Sequence, residues 1–416
     1  MNIMRVLAIL ALVAPQIAAA QSSYLFVWAG APGASDFMAT IDANPQSATY
    51  GRVLASVLTG TIGMPHHTEH ELAPSGHLLA NDFDAGRTWL FDLHDALKPR
   101  ILTSFGDVAG FSHPHTFIRL GSNRVLATFQ YRADASTAAQ MRMPGGVMSG
   151  MASSTPHVTG GLVEMDERGH PFKSASAADT TIGDRLIYPY SVLAMPGINR
   201  AVSTTSDMDP GDSTATSQWV QIWRLSDLRL LRSVALPPGA NGPRGNANLY
   251  TGEPRLLADG RSVYIHTFNC GLFLLQNIRS ATPRAEFVHR FDGVDCGVPV
   301  VTSHYWIQTV PADHGLVALD VSDPEHPREV SRVSVGPDEQ PHWIAIDRTG
   351  RRLVLNSAGK GNRLFIVDFD PSNGRLSVDQ RFHDPGSSEA GISLAGVNWP
   401  SHVAGNVVPH GAVFSR

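Results

Sequence analysis

Residues 64–72, MPHHTEHEL, pack three histidines (His66, His67, His70) and two glutamates (Glu69, Glu71) into nine positions. Neutral imidazole serves chiefly as a metal ligand or a proton carrier, so this density points to one or both roles. The first pair follows a proline. The same Pro-His step recurs at Pro114-His115, Pro156-His157, Pro341-His342 and Pro409-His410. Proline fixes its own φ and restricts its predecessor, which stiffens the chain as it enters each histidine. If four of these five steps meet at one point, the chain carries a multi-histidine metal centre, with His66, His67, His115, His342 and His410 as its candidate ligands. Imidazole suits copper, zinc, iron and nickel alike. Glu69 and His70 are the candidate proton-moving groups. His70 is also a candidate ligand, and Glu69 and Glu71 either orient a ligand imidazole through its second nitrogen or are solvated loop charges. His266, His304 and His314 read as interior or rim histidines, and His157 as a loop residue.

These positions need a scaffold that brings distant segments together. No long helical periodicity is present. Short alternating apolar runs, rich in Val, Ile, Leu, Phe and Thr and broken by Gly, Pro, Asn and Asp, indicate an all-β chain. One pattern returns seven times: a strand, most often ending in an acid, then a turn, then a second strand. It begins at Asp36, Gly86, Gly160, Ser217, Cys270, His314 and Asn362. The spacing of roughly 45 to 75 residues matches four-stranded propeller blades. Each such hairpin follows another with a Gly- or Asn-containing turn, as in HTFIRLGSNRVLATFQ, EPRLLADGRSVYIHTF and HWIAIDRTGRRLVLNSA. A blade therefore reads A-B then C-D. The first repeat has a B strand, SYLFVWAGA, with no A strand before it, and the chain ends in an unpaired PHGAVFSR. The sequence thus predicts a seven-bladed β-propeller whose ring is closed by the C-terminal strand, so that no edge stays open. Strands A line the channel of a propeller. On this reading His410, His66 and His67, His115 and His342 open strand A of blades one, two, three and seven, which are contiguous around the ring.

A 416-residue chain would ordinarily suggest two or three domains; the repeat accommodates residues 21–416 in one. Residues 1–20 read as a signal peptide: Arg5, then the apolar VLAILALVA, then Ala18-Ala19-Ala20 before Gln21. An exported, periplasmic protein is expected. Charged residues make up 17% of the chain and net charge is −5, which gives no nucleic-acid footprint and no basic surface for a membrane. No pattern sets an oligomeric state. Cys270 and Cys296 are either a disulfide, as suits an oxidising compartment, or two buried thiols, with a metal role as a third reading.

The residues DFMATIDANPQSATYGRV from Asp36, the His66-His67 pair, Pro114-His115-Thr116, HGLVALDVSDPEHPR from His314 and the C-terminal His410 resemble the selenium-binding protein/methanethiol oxidase family. The likeness runs in patches from about Asp36 to the end. It implies a seven-bladed propeller with histidine-bound copper, and the bacterial enzymes of that family oxidise methanethiol with O2 and water to formaldehyde, hydrogen sulfide and hydrogen peroxide. By resemblance His66, His67, His115 and His410 take the ligand role. Three departures are visible. The paired cysteines that animal members carry after the HH step are absent, Ile118 stands where members commonly have a further histidine, and His342 stands where many have a non-ligand residue.

An insertion at about 132–158 carries Met141, Met143, Met148 and Met151 in a Gly/Ser-rich setting. Thioethers are soft ligands that select Cu(I), so this loop either feeds copper to the site or covers the channel as a lid. The expectation is an exported copper-dependent oxidase acting on a small thiol and O2, with iron and zinc left open by ligand type. The competing readings are a four-histidine non-haem iron dioxygenase and a non-catalytic propeller that binds metal or a partner.

Overall fold

The structure, a computed structural model, describes residues 23–121, 123–133, 158–208, 217–357, 362–394 and 406–416. Residues 1–22, which include the expected signal peptide, and residues 134–157, which include His157 and the four insertion methionines, lie outside the described residues. Among the described residues the chain forms seven antiparallel sheets of four strands, the last with a short fifth strand.

Blade one is built from strand B (Tyr24–Gly30), strand C (Phe37–Asp42) and strand D (Val53–Leu58). Its strand A is Val408–Phe414, paired antiparallel to strand B with Leu25 opposite Phe414 and Phe26 opposite Val413. Ser415 Oγ accepts the backbone N–H groups of Ser23 and Tyr24. The expected closure by the C-terminal strand is what the sheet shows. Strands A of blades two to seven are Pro65–Thr68, Phe111–Gly121, Pro189–Met195, Thr251–Leu256, Val300–Thr302 and Pro341–Ile346. All seven predicted acid-turn hairpins are C-D hairpins of a blade.

The recurring acid has a local cause. Asp42, Asp92, Asp320 and Asp370 each accept the N–H two residues ahead, from Asn44, His94, Ser322 and Ser372. A short carboxylate reversing the chain in this way is favoured wherever a strand must stop and turn. Between blades, apolar faces interlock. Leu25, Val27, Phe37 and Ile41 of blade one pack with Trp343, Val354, Leu364 and Ile366 of blade seven.

One irregularity repeats around the ring. In blade two, Pro65 pairs with Asp82 and Thr68 with Ala80, so His66 and His67 together oppose the single Asn81. The same two-against-one step sets His115 and Thr116 against Thr128, Tyr190 and Ser191 against Thr204, and Gly252 and Glu253 against His266. In blades seven and one the register likewise slips by one residue, at His342 and at His410. These are β-bulges, which re-aim side chains and bend the strand. Each bulge leaves a backbone N–H without its ladder partner, and in five blades a strand-B side chain accepts it. His67 N donates to Asn81 Oδ1 (2.7 Å), Thr116 N to Thr128 Oγ1 (3.0 Å), Ser191 N to Thr204 Oγ1 (3.2 Å), Glu253 N to His266 Nδ1 (2.9 Å) and Trp343 N to Asn356 Oδ1 (2.7 Å). Some of these side chains also reach the next blade. Asn81 Nδ2 donates to Pro114 O, Thr128 Oγ1 to Tyr190 O and Asn356 Nδ2 to Pro409 O. Proline suits the position before the bulge because it has no N–H to satisfy.

Candidate metal centre

The bulges bring the five predicted ligands together. His66 and His67 stack with ring centroids 4.0 Å apart. His115 lies 4.7 Å from each, His410 lies 4.5 Å from His66, and His342 lies 4.8 Å from His410. Ligand nitrogens of His66, His67 and His115 all fall within 4.8 Å of one another, and so do those of His67, His342 and His410. His67 belongs to both triads. Two bonds of about 2 Å, as imidazole makes, span at most about 4 Å between nitrogens, so a small inward shift of the outermost rings would let each triad share an ion.

The donor set fits a metal on a second ground. His66 Nδ1 and the Nε2 atoms of His67, His115, His342 and His410 are buried without a hydrogen-bond partner. Buried polar atoms are ordinarily paired, so five unpaired imidazole nitrogens in two overlapping triads call for another occupant. Burial drives the His115 and His342 imidazoles down to about 4, and burial with mutual repulsion holds His66, His67 and His410 well below the ordinary histidine value. All five are therefore neutral with free lone pairs at neutral pH, the state a ligand requires.

Glu69 does not join this cluster. Its carboxylate is gripped by Arg119 of blade three (Nε to Oε1 2.7 Å, Nη2 to Oε2 3.0 Å) and accepts Leu79 N–H. Arg119 also binds Glu167, which in turn contacts His77 Nδ1 at 2.8 Å. Glu69 is thus a buried tie between blades two and three, which corrects both readings open for it, a carboxylate orienting a ligand imidazole and a solvated loop charge. Glu71 is exposed. His70 sits at the edge of the cluster, stacked on Trp343 with centroids 4.7 Å apart and planes 4° from parallel. Its Nε2 accepts from Arg255 Nη2 at 2.9 Å, and burial, then the nearby guanidinium, lowers its pKa. His304 leans on Tyr305, and His314 contacts Glu339 O through Nδ1, both away from the cluster. His266 is interior, as its strand-B position implies.

Three residues escaped the sequence reading. Tyr190 fills the blade-four bulge, its ring 4.0 Å from that of His115. Pro189-Tyr190 is the counterpart of the Pro-His steps, and that dipeptide was the signal available. Trp343 packs 5.0 Å from His67 and donates Nε1–H to Ala412 O. Glu253 fills the blade-five bulge and is fully buried. Burial alone would raise its carboxyl, but Arg255 (2.8 Å), His70 and the Ser191 hydroxyl (2.5 Å) outweigh that and hold it below the carboxylate range. Glycine precedes it, because a Cβ at Gly252 would stand 2.2 Å from the His266 ring.

Cys270 and Cys296 are joined in a disulfide, which resolves the alternatives left open by sequence. Among the described residues no helix is long and apolar enough to cross a membrane.

No family model matches the chain. It is 34% identical over 113 residues to a methanethiol oxidase of Hyphomicrobium sp and 31% identical over 115 residues to a methanethiol oxidase of Ruegeria pomeroyi. Each alignment spans 26% of this chain and 26% of the relative, about a quarter of the length of either. In fold it is similar to a hypothetical selenium-binding protein of Sulfolobus tokodaii (TM-score 0.70, 16% identity, 95% of this chain and 94% of that one). It is also similar to the periplasmic gluconolactonase of Pseudomonas aeruginosa (TM-score 0.59, 14% identity, 94% and 99% covered). Likeness at such identity carries the propeller fold alone. The resemblance to the selenium-binding protein/methanethiol oxidase family thus rests on two findings, a sequence relationship to methanethiol oxidases over a quarter of the chain and a propeller shared with a selenium-binding protein over nearly all of it.

Proposed function

We propose that this chain is an exported copper-dependent oxidase of a small thiol, converting a substrate such as methanethiol, with O2 and water, to the aldehyde, hydrogen sulfide and hydrogen peroxide. The observation that carries the reading is the convergence of five imidazoles from four contiguous blades, three buried and two half-buried, each with a buried, unpartnered nitrogen. His66, His67, His115, His342 and His410 would hold the ion. Copper would supply the single-electron chemistry that lets a thiol react with O2. The sequence relationship to methanethiol oxidases supports a thiol substrate over the iron dioxygenase alternative.

The chain's own groups set the conditions. Burial of His66, His67 and His115 excludes bulk water and strengthens every charge interaction in the site. Trp343 and Tyr190 wall the cluster with apolar surface. His70 is stacked on Trp343 with its side chain one-fifth exposed, and its Nδ1 has no hydrogen-bond partner, which suits it to carry a proton out of the site. The Cys270–Cys296 disulfide supports export to an oxidising compartment through residues 1–20. A single domain spanning residues 21–416 belongs to the same proposal.

Metal analysis of copper-loaded protein, followed by O2 uptake with methanethiol, tests it. Stoichiometric copper with thiol-dependent uptake and release of sulfide and peroxide is expected. Full copper occupancy without uptake would overturn the reaction, and failure to retain copper would overturn the centre.

A further inference from the structure

We infer that Glu253 is a positioning residue for the metal centre, its carboxylate charge acting on the back nitrogen of His67 so that Nε2 is presented to the ion. This rests on the reading of the cluster as a metal centre and extends it to a residue on the far side of the channel.

Glu253 has no solvent exposure, and its two oxygens are used differently. Oε2 is tied down by Arg255 Nη1 (2.8 Å) and by the Ser191 hydroxyl (2.5 Å), with His70 Nε2 at 3.8 Å. Oε1 has no hydrogen-bond partner and lies 4.0 Å from His67 Nδ1, longer than a hydrogen bond and within the range where the carboxylate charge acts on that nitrogen. The backbone is fixed as well, since Glu253 N–H donates to His266 Nδ1 within the blade-five bulge. One oxygen is anchored, and the other is aimed at the imidazole common to both ligand triads. Glu253 belongs to neither triad, so it acts through His67 and not on the ion.

The physical effect is a choice of tautomer. A carboxylate beside Nδ1 favours the proton on that nitrogen and leaves the Nε2 lone pair for the metal, while raising ligand basicity. Breaking such a partnership ordinarily costs about 10–100-fold in metal affinity. Ser191 and Arg255 set the carboxylate's rotamer, so blades four and five, which supply no ligand, help orient a ligand of blade two.

The test uses the full chain labelled with 15N-histidine, with His67 assigned by comparison with a His67→Gln variant. In metal-free wild type the ring-nitrogen shifts of His67 should report a proton on Nδ1, and Glu253→Gln should shift the population toward Nε2–H. Competition titration with Cu2+ should show the dissociation constant rising about 10–100-fold in Glu253→Gln, with an altered electron paramagnetic resonance spectrum. A predominantly Nε2-protonated His67 in wild type would overturn the assignment, and so would a Glu253→Gln protein with unchanged tautomer and Cu2+ affinity. If Glu253→Gln fails to fold, the wild-type tautomer decides. If wild type binds no Cu2+, the metal-centre reading falls, while the tautomer, read without metal, still upholds or overturns the contact.

Discussion

The rings of His66 and His67 are stacked 4.0 Å apart and within 11° of parallel, although the two residues are neighbours in one strand. Successive side chains of a regular strand point to opposite faces. The pair escapes this rule because both residues oppose Asn81 across a bulge, and Asn81 Oδ1 takes the N–H of His67. Replacing Asn81 with Leu should therefore cost roughly 1–3 kcal/mol for each backbone group it orphans, at His67 N and Pro114 O. Chemical denaturation measures that loss, and copper titration of the same variant should show weaker binding because the stack is no longer fixed.

Metal affinity should change little between pH 8 and pH 6. An exposed histidine site loses metal as pH falls through about 6.5 because protons compete for the ligands. Here the His115 and His342 imidazoles titrate at about 4, so competition begins near that value. A copper-binding isotherm at each pH checks this, and a steep decline centred near 6.5 would contradict it.

Metal-free protein should lose stability on acidification from about 6.5 towards 4. His115 and His342 have folded values below their unfolded one, so in that window the unfolded chain binds more protons than the folded chain. Stability then rises with pH and levels off above about 6.5. Thermal melts of wild type across this range should show the slope, and His115→Phe should flatten part of it.

Arg119 and Glu69 give a contrast between structure and chemistry. Arg119→Met leaves the Glu69 carboxylate buried and unpaired, which should cost roughly 3–5 kcal/mol. Glu69→Gln should leave copper affinity unchanged, since the carboxylate faces Arg119 and not the histidines. A large loss of copper affinity in Glu69→Gln would return that residue to the centre.

Replacing Cys270 and Cys296 by Ala should lower stability by about 3–4 kcal/mol, the loop-closure value for a separation of 26 residues. Both cysteines lie in the apolar core shared by blades five and six and belong to neither histidine triad, so copper affinity should persist in protein that remains folded.

The propeller was legible because its signature is local. A carboxylate such as Asp320 or Asp370 must cap its own turn, and that need recurs in most blades. The clustered histidines were legible because proline marks each bulge that delivers them. Glu253 was hidden because its bulge is entered through Gly252, where the His266 ring forbids a side chain. Glu69 was left between two readings because alternation along a strand shows which residues share a face, but not which face looks inward. Its partner Arg119 lies fifty positions on, and no local pattern connects the two.

The strand that carries His410 lies beyond every other strand of the ring, yet it pairs with the segment that precedes them all. During synthesis on the ribosome, His66, His67 and His115 are made hundreds of residues before this last contributor can dock. Contacts of such long range form late because the intervening chain must first be gathered in. If the five histidines hold copper as proposed, its acquisition by the full set reports finished assembly, since a half-made ring offers the ion only part of its donors.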